Sequence, residues 1–166
     1  YNTELTVRVA MDPKGSIYLA GLTYSGDFPP ETGGRPRADY FVTKLAPDCS
    51  SLIYTAFFPW AYPYHYGKTH FSPDIDVDAK GFVYLAGWTA STGFPLKNAF
   101  QKTLRGLCDG FVLKLSRDGR SLLYSSYLGG AKFDYCTSIC ADGTGAAYVG
   151  GETSSRDFPL KETFQK

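Results

Sequence analysis

Three stretches, MDPKGSIYLAGLT (residues 11–23), VDAKGFVYLAGWT (77–89) and ADGTGAAYVGGET (141–153), align without a gap. Their shared aspartates, Asp12, Asp78 and Asp142, are 66 and 64 residues apart, and the Phe-Pro pairs that follow, beginning at Phe28, Phe94 and Phe158, keep the same spacings. Repetition at a fixed period outranks any local motif, because it means that one structural unit is stacked on copies of itself. Two copies run on into a second shared block, YFVTKLAPDCSSLIYT (40–55) and GFVLKLSRDGRSLLYS (110–125).

Within a unit the chemistry is that of short antiparallel strands. Asp12 with Gly15, Asp78 with Gly81 and Asp142 with Gly145 form Asp-x-x-Gly turns between apolar runs. There the Asp side chain bonds the backbone across the turn, and Gly supplies positive φ. Calcium binding at these aspartates would need further oxygen ligands at close spacing, and none is present. The strands after the turns are apolar on both alternating faces, which predicts burial from both sides. The first unit is predicted to hold strands at about 5–12, 16–23, 39–46 and 51–58, bounds of this kind being good to a few residues. Four-stranded antiparallel meanders covered by like neighbours are β-propeller blades, so the expected fold class is all-β. The chain then reads as a single propeller segment over residues 1–166, with blade one near 5–58, an aromatic insertion at 57–74, blade two near 74–130 and half a blade near 136–166. Two and a half blades do not close a ring of about four to eight. Further polypeptide, either missing parts of the same propeller or other protein chains, is expected to cover the open edge of the third unit and to contact the aromatic loop.

The turn before YLAG, the Phe-Pro pair, AFQK (99–102), DGFVLKL (109–115) and SLLYSSYLGG (121–130) resemble the bacterial seven-bladed β-propeller repeat, or SBBP. The likeness covers nearly the whole chain. Unit one departs from it by lacking an AFQ-like segment and by ending in FFPW instead of YLGG. The resemblance implies a secreted, periplasmic or cell-surface protein, and it implies no catalytic residues.

Lys plus Arg number 17 against 16 Asp plus Glu, so no long-range field favours nucleic acid. The longest uncharged run, 49–67, is broken by Pro59 and Pro63 and carries four tyrosines, which excludes a transmembrane helix. Strand parity puts the tight turns after first and third strands on one end of the blades, and all long connections on the other. Long loops on a rigid scaffold carry binding, so the long-loop face is the expected working face. It includes FFPWAYPYHYGKTHF (57–71), an insertion six residues longer than its counterpart in unit two. Phe57, Phe58, Trp60, Tyr62, Tyr64, His65, Tyr66, His70 and Phe71 are its candidate binding residues, with Trp60, Tyr62, Tyr64 and Tyr66 on one side of an extended backbone. Such rings suit a partner protein, a carbohydrate or peripheral contact with a membrane, and the competing expectation is a lid folded over the core.

His65 and His70 with Asp74 and Asp76 lack metal-ligand spacing, and no nucleophile or phosphate-loop motif has a supporting context, so no metal, cofactor or catalytic group is expected. Of the four cysteines, topology allows only Cys108 and Cys136 to pair, against the alternative of four free, mostly buried thiols. Arg8 and Asp74 are expected to pair across adjacent innermost strands, with Asp76 bonded to channel water. Gly21, Gly87 and Gly151 are expected to admit the backbone of a neighbouring blade. The function that follows is a non-enzymatic interaction or scaffold module outside the cytoplasm, with a carbohydrate-binding propeller, or part of a glycan-active enzyme, as the alternative.

Overall fold

Alternating apolar residues between Asp-Gly turns give ten strands and, among the described residues, no helix. The computed structural model describes residues 4–25, 28, 39–60 and 72–163, the side chains of 4–7 excepted. β1 (Glu4–Met11), β2 (Ile17–Thr23), β3 (Asp39–Leu45) and β4 (Leu52–Pro59) form the first sheet in sequential order. β5 (Asp74–Val77), β6 (Val83–Thr89), β7 (Asp109–Leu115) and β8 (Leu122–Leu128) form the second. β9 (Asp134–Ala141) and β10 (Ala147–Thr153) form a third sheet of two strands. Every pairing is antiparallel. The protein is an all-β stack of two propeller blades and half a third.

The turns are built as their residues dictate. Asp12 Oδ1 accepts from the N–H groups of Lys14 (2.9 Å) and Ser16 (3.0 Å), and Asp78 Oδ1 from those of Lys80 (2.9 Å) and Phe82 (3.0 Å). Asp142 Oδ1 does the same for Thr144 (2.8 Å) and Ala146 (3.0 Å). Gly15, Gly81 and Gly145 have φ of 82°, 82° and 100°, a region that costs a side chain-bearing residue energy.

Two apolar seams hold the stack. The first joins the sheets of blades one and two through Tyr18, Tyr40, Val42, Phe58, Leu85, Phe111 and Leu113, all buried. The second lies between blade two and the end sheet and rests on Tyr84, Ala86, Cys136 and Ile139. β6, between the two seams, is buried at every residue.

The innermost strands β1, β5 and β9 are tied by carboxylates. Asp74 Oδ1 accepts from Arg8 Nε at 3.0 Å, while Asp74 Oδ2 accepts from Ile139 N at 2.8 Å. Asp76 Oδ2 accepts from Ala141 N at 2.7 Å, so it bonds the backbone of the next sheet. A carboxylate at this position supplies the acceptor that a short innermost strand otherwise lacks. The expectation for Gly87 is corrected: a Cβ there would meet the Phe111 ring at 2.9 Å and Pro73 Cα at 3.5 Å, both in its own blade. The space is needed by a ring on the paired strand, not by a neighbouring blade.

Residues 90–108 do not form a free loop. Phe94 turns inward with its ring centroid 4.6 Å from Phe111 and 5.9 Å from Tyr127. Lys97 and Ser125 then exchange backbone hydrogen bonds at 3.1 and 2.7 Å, and Gln101 pairs with Tyr127. The AFQK segment thereby covers the outer edge of β8, which would otherwise offer open backbone groups to another strand.

Candidate functional site

The aromatic stretch divides at Trp60. Phe57 is half-buried on β4, whereas Phe58 is buried and Trp60 only 2% exposed. Trp60 meets Trp88 at 5.5 Å and Tyr24 at 5.8 Å, both edge-on, and its carbonyl accepts from Thr89 Oγ1 (2.8 Å) and Ala90 N (3.1 Å). Phe58 and Trp60 are therefore seam residues and not exposed contact residues: β4 carries Phe58 into the seam, and Trp60, just past the strand's end, is held there by the bonds of its carbonyl to Thr89 and Ala90. Tyr62, Tyr64, His65, Tyr66, His70 and Phe71 lie outside the described residues.

On the long-loop face the described residues are fastened by buried polar groups. Asp109 Oδ1 accepts from Gly106 N (2.9 Å), and its Oδ2 from Arg105 N (2.9 Å) and Gln101 Nε2 (2.6 Å). Gln101 Oε1 accepts in turn from Gly129 N at 2.9 Å. Asp134 Oδ2 accepts from Gly130 N (2.8 Å) and Ser155 Oγ (2.7 Å), and Thr153 Oγ1 donates to its other oxygen. Burial raises the Asp109 carboxyl above its ordinary value, against the pull of the Arg105 and Gly106 donors. At 0% and 1% exposure, with oxygens filled by donors, Asp109 and Asp134 fasten loops instead of facing a ligand.

Cys108 and Cys136 remain separate thiols. Cys136 Sγ fills the space left by Gly110, where a Cβ would stand 2.5 Å away. Burial pushes both thiols up, Cys136 to about 12. Cys49 and Cys140 are free and exposed, so only half of the thiols are buried. No cluster of three or more His, Cys, Asp or Glu able to hold a metal occurs among the described residues.

The tight-turn face holds an arrangement that motif reading missed. Tyr18 OH donates to Asp12 Oδ2 at 3.0 Å, and Lys44 Nζ lies 3.6 Å from that oxygen and 4.8 Å from the Tyr18 ring centroid. Blade two repeats it: Tyr84 OH donates to Asp78 Oδ2 at 3.1 Å, with Lys114 Nζ 4.0 Å from the oxygen and 4.6 Å from the ring. In the end sheet Tyr148 OH reaches Asp142 at 3.5 Å. The Asp-x5-Tyr spacing in all three aligned copies was the available signal. Burial would raise the Asp12 carboxyl, but the donors Ser16 N, Tyr18 OH and Lys14 N together bring it below its ordinary value. Burial and the neighbouring Asp78 push the Tyr84 phenol to about 12, so it stays a proton donor.

These triads shape the seam's mouth. The turn of blade two packs onto the Tyr of blade one, a Cβ at Gly81 falling 3.6 Å from Tyr18 OH, and Gly145 repeats the contact on Tyr84 OH at 3.7 Å. Between the turns of blades one and two opens a groove of about 660 Å³, whose lining includes Lys14, Lys44, Lys80 and Arg117 with Asp12 and Asp118.

The chain matches no protein-family model and no curated protein.

Proposed function

We propose that this chain is a non-enzymatic β-propeller interaction module that seats partner polypeptide on its long-loop face and along the flank of its end sheet. The observation that carries the reading is the apolar character of that flank. Phe100, Leu107 and Leu160, on the long connections, are exposed, and a groove of about 460 Å³ beside Phe100 is lined by Val112, Tyr124, Leu128, Ala147 and Val149. An apolar groove with the exposed Phe100 ring in its lining marks a contact surface.

The occupant is an antiparallel strand or hairpin. β2 pairs its Thr23, Gly21 and Ile17 with Asp39, Phe41 and Leu45, and β6 pairs Thr89, Gly87 and Val83 with Asp109, Phe111 and Leu115. The aligned Thr153, Gly151 and Ala147 of β10 pair only with β9 among the described residues. A segment of Asp-x-Phe-Val-x-Lys-Leu character fits that edge by strand addition. The likeness to the SBBP repeat supports a bacterial protein acting outside the cytoplasm, in the secreted, periplasmic or surface-bound class. A carbohydrate-binding reading would have to rest on Tyr62, Tyr64 and Tyr66, since Trp60 is buried.

The test adds a synthetic hairpin with the sequence of residues 109–128 to the full chain and follows amide exchange. Slowed exchange in 147–153 supports the reading. Slow exchange there without the hairpin, or no change on adding it, refutes it.

A further inference from the structure

We propose that the groove between the tight turns of blades one and two is an anion site that takes the dianionic head of a phosphate monoester or free phosphate. It lies on the face opposite the partner surface and stands independently of that reading. Three of its cations come from three separate turns: Lys14 from β1–β2, Lys80 from β5–β6 and Arg117 from β7–β8. The ion pairs among the described residues are Arg8–Asp74, Lys44–Asp12 and Lys114–Asp78, and Lys14, Lys80 and Arg117 enter none of them.

The charge balance selects the ligand. The lining carries four cationic side chains against two carboxylates, a surplus of two positive charges. Asp12 is matched by Lys44 at 3.6 Å, and Asp118 turns its Oδ1 to Ser116 Oγ (2.6 Å) and Arg120 N (3.1 Å). A phosphate monoester carries about −1.5 to −2 near pH 7 and offers three terminal oxygens, one for each of the three cations. A planar carboxylate offers two. Arg117 is steadied over the Phe82 ring, 5.7 Å from its centroid, and a guanidinium held in place recognises phosphate better than a mobile one. The volume of about 660 Å³ falls in the ordinary small-ligand range. The sequence also contains a control: where Lys14 and Lys80 stand in the first two turns, the third has Thr144, so the cationic lining belongs to one seam and not to the repeat.

The experiment titrates the full chain, in separate arms, with glycerol 3-phosphate, inorganic phosphate and succinate, by calorimetry and by amide shifts. Shifts centred on residues 14–16, 80–82 and 116–118 are expected. Lys80→Gln and Arg117→Gln should each weaken phosphate binding by about tenfold, the scale of one charge-assisted hydrogen bond, with melting temperature unchanged. Lys132→Gln, on the opposite face, should bind as the parent does. Tighter binding of the ester than of inorganic phosphate identifies an organic ligand, and equal binding identifies phosphate itself. No shifts at millimolar phosphate, parental binding by both variants, or succinate binding at least as tightly as either phosphate would each overturn the proposal.

Discussion

The two seams are built from the same repeat and differ in what they bury. Between blades one and two, four strands lie on four, and Tyr18, Tyr40, Phe111 and Leu113 are sealed. Between blade two and the end sheet, four strands lie on two; Tyr148, the counterpart of Tyr18 and Tyr84, is 61% exposed while they are at 0%. β6 is buried throughout, and β10 alternates and then opens to solvent along Gly150, Gly151, Glu152 and Thr153. The sequence of a blade strand prepares it for burial. The neighbour delivers it.

The sharpest way to break this comparison is to cut one side chain from each seam. Phe111→Ala should cost about 3–5 kcal/mol, because the ring is fully enclosed by Tyr40, Phe94 and its own sheet. Val149→Ala in the second seam should cost under about 1 kcal/mol, the side chain being only half-buried. Equal losses by chemical denaturation would mean that the end sheet is as firmly held as the blades.

A smaller contrast sits at the turns. Tyr18→Phe removes a buried donor to Asp12 and should cost about 1.5–3 kcal/mol, the scale for a hydrogen bond to a charged group. Tyr148→Phe, at the exposed counterpart, should leave the denaturation midpoint within error of the parent. A matching loss in both would show the third turn to be buried by a partner in solution.

The smallest effect is one of pH. Asp12 has its carboxyl held below the ordinary 3.8, so its contribution is complete above that value and is lost as pH falls through the lowered folded value. Asp109 is shifted the other way: its contribution is present below the ordinary value and is lost as pH rises through the raised folded one. Denaturation midpoints across this acid range should therefore fall less steeply for Asp12→Asn than for the parent. They should fall more steeply for Asp109→Asn, which loses the acid-side gain. Parallel curves for all three proteins would remove both assignments.

Much of the fold was legible because strands and turns are local. The four strands of blade one lie within one residue of the expected bounds, since alternation and Asp-x-x-Gly punctuation need no distant information. The Arg8–Asp74 pair was legible too, because aligned repeats put the two residues side by side on adjacent inner strands. Trp60 was not: an aromatic run reads the same whether the next blade covers it or water does. The bond of Asp76 to Ala141 N and the contact of Gly87 with the Phe111 ring were hidden for the same reason, the partners lying 65 and 24 residues away in sequence.

The sequence by itself determined the period, the strands, the turns and the meander order, all of which follow from side-chain alternation and from which residues tolerate positive φ. Only the tertiary structure decided that residues 90–108 would cover the edge of β8, that Asp12, Tyr18 and Lys44 would meet, and that Lys14, Lys80 and Arg117 would line one groove. Those outcomes depend on how one blade is set against the next. That setting comes from the fit of Phe94, Phe111 and the Tyr rings in the seams, a many-body packing that no single stretch encodes.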